Sequence, residues 1–140
     1  MAWCIDERRW EDLAEIFAPK IEIDYTSVFG GEARTITPAD MVRTSQLLLG
    51  NLQATQHLVA GHIVTGSGDE AICKSQVQAT HLLANPTGDP LWTVGAQYHM
   101  QLSRIDGRWR IAAVRVVLLW ASGNREVMRL GKVRAVDGER

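Results

Sequence analysis

Two histidines stand where strands of this pattern would otherwise place hydrocarbon. In TQHLVAGHIV, His57 shares a face of the period-two alternation with Val59 and Ile63. In KSQVQATHLL, His81 is in phase with Val77, Ala79 and Leu83, while Lys74, Gln76, Gln78 and Thr80 take the other face. A buried imidazole without partners costs on the order of 2 kcal/mol. Each is therefore either a core histidine satisfied by hydrogen bonds or part of a site. Imidazole, with a reference pKa of about 6.5, can take and return a proton near neutrality. Asp6 borders the apolar stripe of the N-terminal helix, and Tyr25 lies on the inner face with Ile21 and Ile23. A carboxylate, two imidazoles and a phenol around an apolar hollow are the parts of an acid–base site. In such a site one imidazole would remove a proton, the phenol would hydrogen-bond a developing oxyanion such as an enolate, and a protonated imidazole would return a proton to a leaving group. Periodicity assigns faces; it does not show that the four converge. His62 and His99 fall on the outward faces.

Arg115 stands alone in IAAVRVVLLW. Strict alternation from Trp109 turns it inward, where it would meet an anionic substrate group or the oxyanion; a bulge would make it a rim or interface arginine. Trp10, Trp92, Trp109 and Trp120 read as core or interface, Asp24 as a strand-edge carboxylate, and GSGDE as a hairpin turn.

The elements that must position these groups follow from the pattern. CIDERRWEDLAEIF carries Ile5, Trp10, Leu13, Ile16 and Phe17 on one helical face, with Pro19 as its stop. KIEIDYTSVFGG alternates as a strand ending at a Gly-Gly turn, and TPADMVRTSQLLLG is a helix with Thr37 as N-cap and Pro38 at its first position. Strands are expected over 55–65, 70–85, 91–105 and 109–120, and the tail 122–140 reads as a short helix with a frayed end. Helices first and long hairpins afterwards argue α+β, with a curved sheet and helices on its concave side. Both faces of WRIAAVRVVLLW are apolar, so the outer one is expected to be covered by a second copy of the chain.

The 140 residues are enough for one domain, and 46% are hydrophobic. Fifteen basic and 16 acidic residues, mixed along the chain, leave no footprint for nucleic acid and no polybasic membrane patch. Cys4 and Cys73 form no ligand-like spacing and no obvious disulfide framework, and no apolar run reaches membrane length; the expectation is a cytoplasmic protein.

The segments IDERRWEDLAEIFAPKIEIDY, TQHLVAG, ATH and RIDGRWRIA resemble the scytalone dehydratase branch of the SnoaL-like, NTF2-like superfamily, from about residue 3 to residue 121. The resemblance implies a cone: a strongly bent antiparallel sheet around a deep pocket, capped by N-terminal helices and assembled through the outer sheet face into dimers or trimers. Position by position, it makes Asp6 the aspartate that orients a catalytic histidine, taken here as His81, and His57 and His81 the active-site imidazoles. Tyr25 becomes the phenol that, with a water, polarises the substrate carbonyl. Two departures stand out. Ile5 occupies the place of a second phenol, and Ala96 and Tyr98 replace a serine and an asparagine of the pocket wall, with Tyr98 supplying a phenol from elsewhere. The resemblance thus implies a metal-free dehydratase for a small apolar or aromatic, cyclic or polyketide-type hydroxy-ketone other than scytalone. An isomerase or cyclase using the same enolate chemistry, and a non-catalytic binding module, are the alternatives.

Overall fold

The computed structural model describes residues 1–86 and 88–137. In chain order the elements are α1 (Ala2–Asp6), α2 (Trp10–Glu15), β1 (Phe17–Asp24), α3 (Thr26–Phe29), β2 (Arg34–Ile36), α4 (Pro38–Leu49), β3 (Ala54–Ser67), β4 (Glu70–Leu82), β5 (Leu91–Ile105), β6 (Arg108–Gly123) and α5 (Glu126–Asp137). The strands form one sheet in the order β2-β1-β6-β5-β4-β3. The α+β class holds, but the sheet is mixed: β1 runs parallel to β6, while every other neighbour is antiparallel. The parallel pair arises because α3, β2, α4 and the meander lie between β1 and β6, a connection long enough to reverse direction. No helix among the described residues is long and apolar enough to cross a membrane.

The N-terminal segment departs from the single helix its apolar spacing predicts. After α1 the chain turns at Arg8, whose φ is +58°. Arg8 N–H donates to Ile5 O at 3.2 Å and Arg9 N–H to Cys4 O at 2.8 Å, the paired bonds of a Schellman closure. Glycine usually takes that left-handed position, so an arginine there gives the sequence no stop signal. Pro19 does not end a helix either; it lies exposed within β1, where the register with β6 shifts between Phe17 and Glu22. A residue without an N–H is tolerated at such an interruption. The expected strand also ends early. Asp24 Oδ1 accepts from Thr26 N–H at 3.1 Å and from Thr26 Oγ1 at 2.6 Å, turning the chain at Tyr25 into α3.

Helix α4 matches its sequence signals. Thr37 Oγ1 accepts from Asp40 N–H at 3.2 Å, and Asp40 Oδ2 accepts from Thr37 N–H at 3.2 Å. Thr37→Ala should destabilise the fold by about 1 kcal/mol, read as a lowered urea midpoint with an unchanged slope. The tail contributes more structure than a short helix: α5 has 12 residues and packs inward, with Val127 fully buried and Met128 at 7% exposure. The frayed end expected beyond it falls on 138–140, outside the described residues.

Bulges in β3 and β6 decide which side chains face the concave side. In β3 the register shifts between Ala60 and Ile63, at Gly61 with φ +64°, and Ile63 is exposed although it is in phase with His57. In β6, Leu102 pairs with Ile111 but Gln101 with Ala113, leaving Ala112 as the extra residue. Beyond that point the phase inverts: Val114 and Val116 are buried and Arg115 points out. Arg115 therefore points away from the concave side, contrary to the inward placement expected from strict alternation. Its side chain is 65% exposed, and Nε lies 3.4 Å from Asp24 Oδ2 on the adjacent strand.

Candidate active site

The concave face and the helices over it enclose a cavity of about 720 Å³. Most of its wall is hydrocarbon: Leu13, Phe17 and Ile23 from the N-terminal elements, Val77, Val94 and Val116 from the meander, and Met41 and Met128 from α4 and α5. The polar groups that reach it include His57, His81, Tyr25, Tyr98 and Ser45. Glu32, Arg34 and Lys132 contribute charged side chains to the lining. Of the residues selected from sequence, Tyr25, His57, His81, Tyr98, Ala96 and Ile5 all line this cavity. Asp6 stands behind His57, and Arg115 is absent.

Pairing places the imidazoles. His81 is opposite Thr55 on β3 and opposite Trp92 on β5, and His57 is opposite Ala79. The two histidines are thus diagonal neighbours on one sheet face, with ring centroids 6.0 Å apart and planes at 83°.

Asp6 pairs with His57, not with the expected His81. His57 Nδ1 lies 2.7 Å from Asp6 Oδ1, and His57 N–H donates to Asp6 Oδ2 at 2.7 Å. Thr55 Oγ1 donates to Asp6 Oδ1 at 2.9 Å. The reason lies in the edge: α1 packs against β3, the terminal strand of the sheet, so its aspartate meets the first histidine-bearing strand and stops there. Burial pushes the Asp6 carboxyl up, but the hydrogen bonds from His57 and Thr55 outweigh it and hold the group below the usual carboxylate range. An ionised Asp6 accepts the Nδ1 proton of His57, leaving Nε2 for the cavity.

His81 is the opposite case. It is 5% exposed, its ring lies 5.2 Å from that of Trp92, and Nδ1 sits 3.1 Å from Trp92 O. A carbonyl can only accept, so Nδ1 carries the proton and Nε2 holds a lone pair. Burial, with a smaller contribution from His57, brings its pKa down to about 4; the Trp92 carbonyl and Asp6 oppose the shift only in part. His81 is neutral at pH 7.

Neither Tyr25 nor Tyr98 has a hydroxyl hydrogen bond to the described residues, and both phenols line the cavity. Burial pushes Tyr25 up to about 12. Tyr98 is pushed higher still by burial, and also by Tyr25 and Asp6. Both are protonated donors. Ile5 brings no phenol to the cavity wall, while Tyr98 brings one from β5. Among the described residues no three His, Cys, Asp or Glu side chains are grouped so that they could hold a metal ion.

Sequence reasoning missed Thr55, Arg8 and Ser45. Thr55 was accessible, two residues before His57 and so on the same strand face. Arg8 carried no signal, because its place depends on the unforeseen break between α1 and α2. Ser45 follows from the α4 spacing, in phase with Met41.

Comparison with known proteins adds the lineage. The SnoaL-like domain profile matches residues 1–115. A dehydratase of Pestalotiopsis microspora is 28% identical over 133 residues, covering 88% of this chain and 82% of that protein. Scytalone dehydratase of Pyricularia oryzae is 28% identical over 124 residues, covering 82% and 72% respectively. A solved structure from Kribbella flavida superposes with a TM-score of 0.86 at 26% identity, covering 91% of this chain and 88% of the other.

Proposed function

The chain belongs to the SnoaL-like domain family, and on that premise we propose that it is a dehydratase acting without a cofactor on a small cyclic or polyketide-type hydroxy-ketone. One observation carries the reading: an Asp6–His57 pair faces a neutral His81 at 6.0 Å in a cavity walled mostly by hydrocarbon, which is also lined by two phenols without hydroxyl hydrogen bonds to the described residues. A binding module has no need of such costly polar groups in that place. The two relatives named dehydratases support the same reaction class.

In the proposed reaction His57 Nε2 takes the proton alpha to the substrate carbonyl. The C–H electron pair moves into the enolate, whose oxygen accepts hydrogen bonds from Tyr25 and Tyr98. Asp6, beneath Nδ1, stabilises the positive charge that His57 gains. The enolate then collapses, its carbonyl re-forms, a carbon–carbon double bond appears and the bond to the beta-hydroxyl breaks. His57 returns its proton to that hydroxyl, which leaves as water. His81 cannot readily take a charge; its Nε2 lone pair accepts a hydrogen bond from the departing hydroxyl and aims it.

The test is mass spectrometry of purified protein incubated with a panel of cyclic beta-hydroxy-ketones. A dehydratase gives a product lighter by one water. Products of unchanged mass would replace this reading with an isomerase or aldol cyclase. Saturable binding without turnover would reduce the protein to a carrier. The exposed apolar residues Leu58, Ile72, Leu119 and Trp120 support a homo-oligomer as part of this proposal. A monomer by light scattering at micromolar concentration would remove that part.

A further inference from the structure

We propose that Arg8, acting through the Thr55 hydroxyl, is the positioning residue that fixes the Asp6–His57 pair. The inference rests on the role given above to His57, and it begins from a misplaced residue type. Arg8 holds the left-handed position that closes α1, where a glycine would sit without strain. Its side chain turns back across the chain. Nη1 donates to Ile5 O at 2.8 Å and to Thr55 Oγ1 at 2.9 Å, and Nη2 reaches Leu52 O at 3.4 Å. The guanidinium carbon lies 5.9 Å from the centre of the Trp10 ring. Arg8 thereby joins the end of α1, the approach to β3 and the first turn of β3 itself.

The chemistry of the hydroxyl gives this contact a direction. A guanidinium only donates, so the Thr55 oxygen must accept from it. The single hydroxyl proton is then left for Asp6 Oδ1, 2.9 Å away. Oδ1 consequently receives Thr55 and His57 Nδ1, while Oδ2 receives the His57 backbone N–H. Three donors hold the carboxylate in one plane, and the carboxylate holds the His57 ring as the Nδ1–H tautomer. Arg8 itself does not line the cavity, so it acts from behind the site through this chain.

The experiment is ¹⁵N NMR of histidine-labelled protein without substrate, paired with steady-state kinetics on any substrate found. In the wild type, neutral His57 should give the two widely separated nitrogen shifts of a single tautomer. In Arg8→Met the Thr55 proton is free to turn away, and the two shifts should move toward each other. Turnover should fall about ten- to a hundredfold with KM nearly unchanged. Thr55→Val, isosteric and suited to a strand, should act in the same direction, and the double variant should be no worse than the more severe single one. If Arg8→Met does not fold, Thr55→Val alone decides. A single His57 tautomer persisting in the folded variants, or losses that multiply in the double variant, would overturn the proposal. A failed search for a dehydratable substrate would leave the tautomer result standing, so the two ideas can fail separately.

Discussion

His57→Ala should lower kcat by about a thousandfold, equivalent to about 4 kcal/mol of lost transition-state stabilisation, with little change in KM. One imidazole is asked to do two things, to accept the alpha proton and to deliver it to the departing hydroxyl, so its removal ends both. The hydrocarbon wall that holds the substrate is untouched, which is why binding should survive. Folding should survive too. Asp6 keeps the backbone N–H of residue 57 and the Thr55 hydroxyl as donors, so no buried carboxylate is left bare. Asp6→Asn should fall in the same direction, because an amide oxygen and nitrogen no longer impose one ring tautomer. The check is kcat and KM for each variant beside its thermal unfolding midpoint. A folded His57→Ala that retained turnover within a few-fold of wild type would return the proton transfer to His81 or remove it from the protein altogether.

How far the site was legible depended on whether strict periodicity held. His81, Tyr98 and Ala96 sit on stretches of β4 and β5 where alternation runs unbroken, and each faces the cavity as the sequence predicts. Arg115 sits three residues past a bulge at Ala112, and one inserted residue reverses the faces of the residues that follow it. Nothing in IAAVRVVLLW marks that insertion. The helical N-terminus failed for a related reason. The spacing of Ile5, Trp10, Leu13 and Ile16 fits one helix, but the chain breaks at Arg8, a residue that advertises no turn. That break moves Asp6 off the side of a long helix and onto the end of a short one packed against β3. Its carboxylate therefore meets His57, and the pairing expected with His81 does not form. Where turn chemistry was explicit, as in Thr37-Pro38-Ala39-Asp40, both the boundary and the cap follow from the residues.

His81 should make stability depend on pH in a defined window. In the folded protein burial holds its pKa at about 4, whereas in the unfolded chain it returns to 6.5. Above 6.5 neither state binds a proton there, and the group costs nothing. As pH falls from 6.5 toward 4, the unfolded chain takes up a proton that the folded protein refuses, so stability drops; below 4 both are protonated and the loss levels off. Integrated over the window, the loss is about 3 kcal/mol, a sizeable part of a small domain's margin. Asp6 pulls in the same direction, since its folded carboxyl is held below the ordinary value of 3.8, but its contribution is lost at pH below that range. The interval between about 4 and 6.5 therefore isolates the histidine. His81→Gln keeps an amide donor for the Trp92 carbonyl and removes the titration. Urea unfolding at pH 7 and at pH 4.5 should show wild type losing about 2–3 kcal/mol more than His81→Gln. Equal losses in the two proteins would mean that His81 is hydrated enough to charge in place. In that case it, rather than His57 alone, would be free to carry the proton through the reaction.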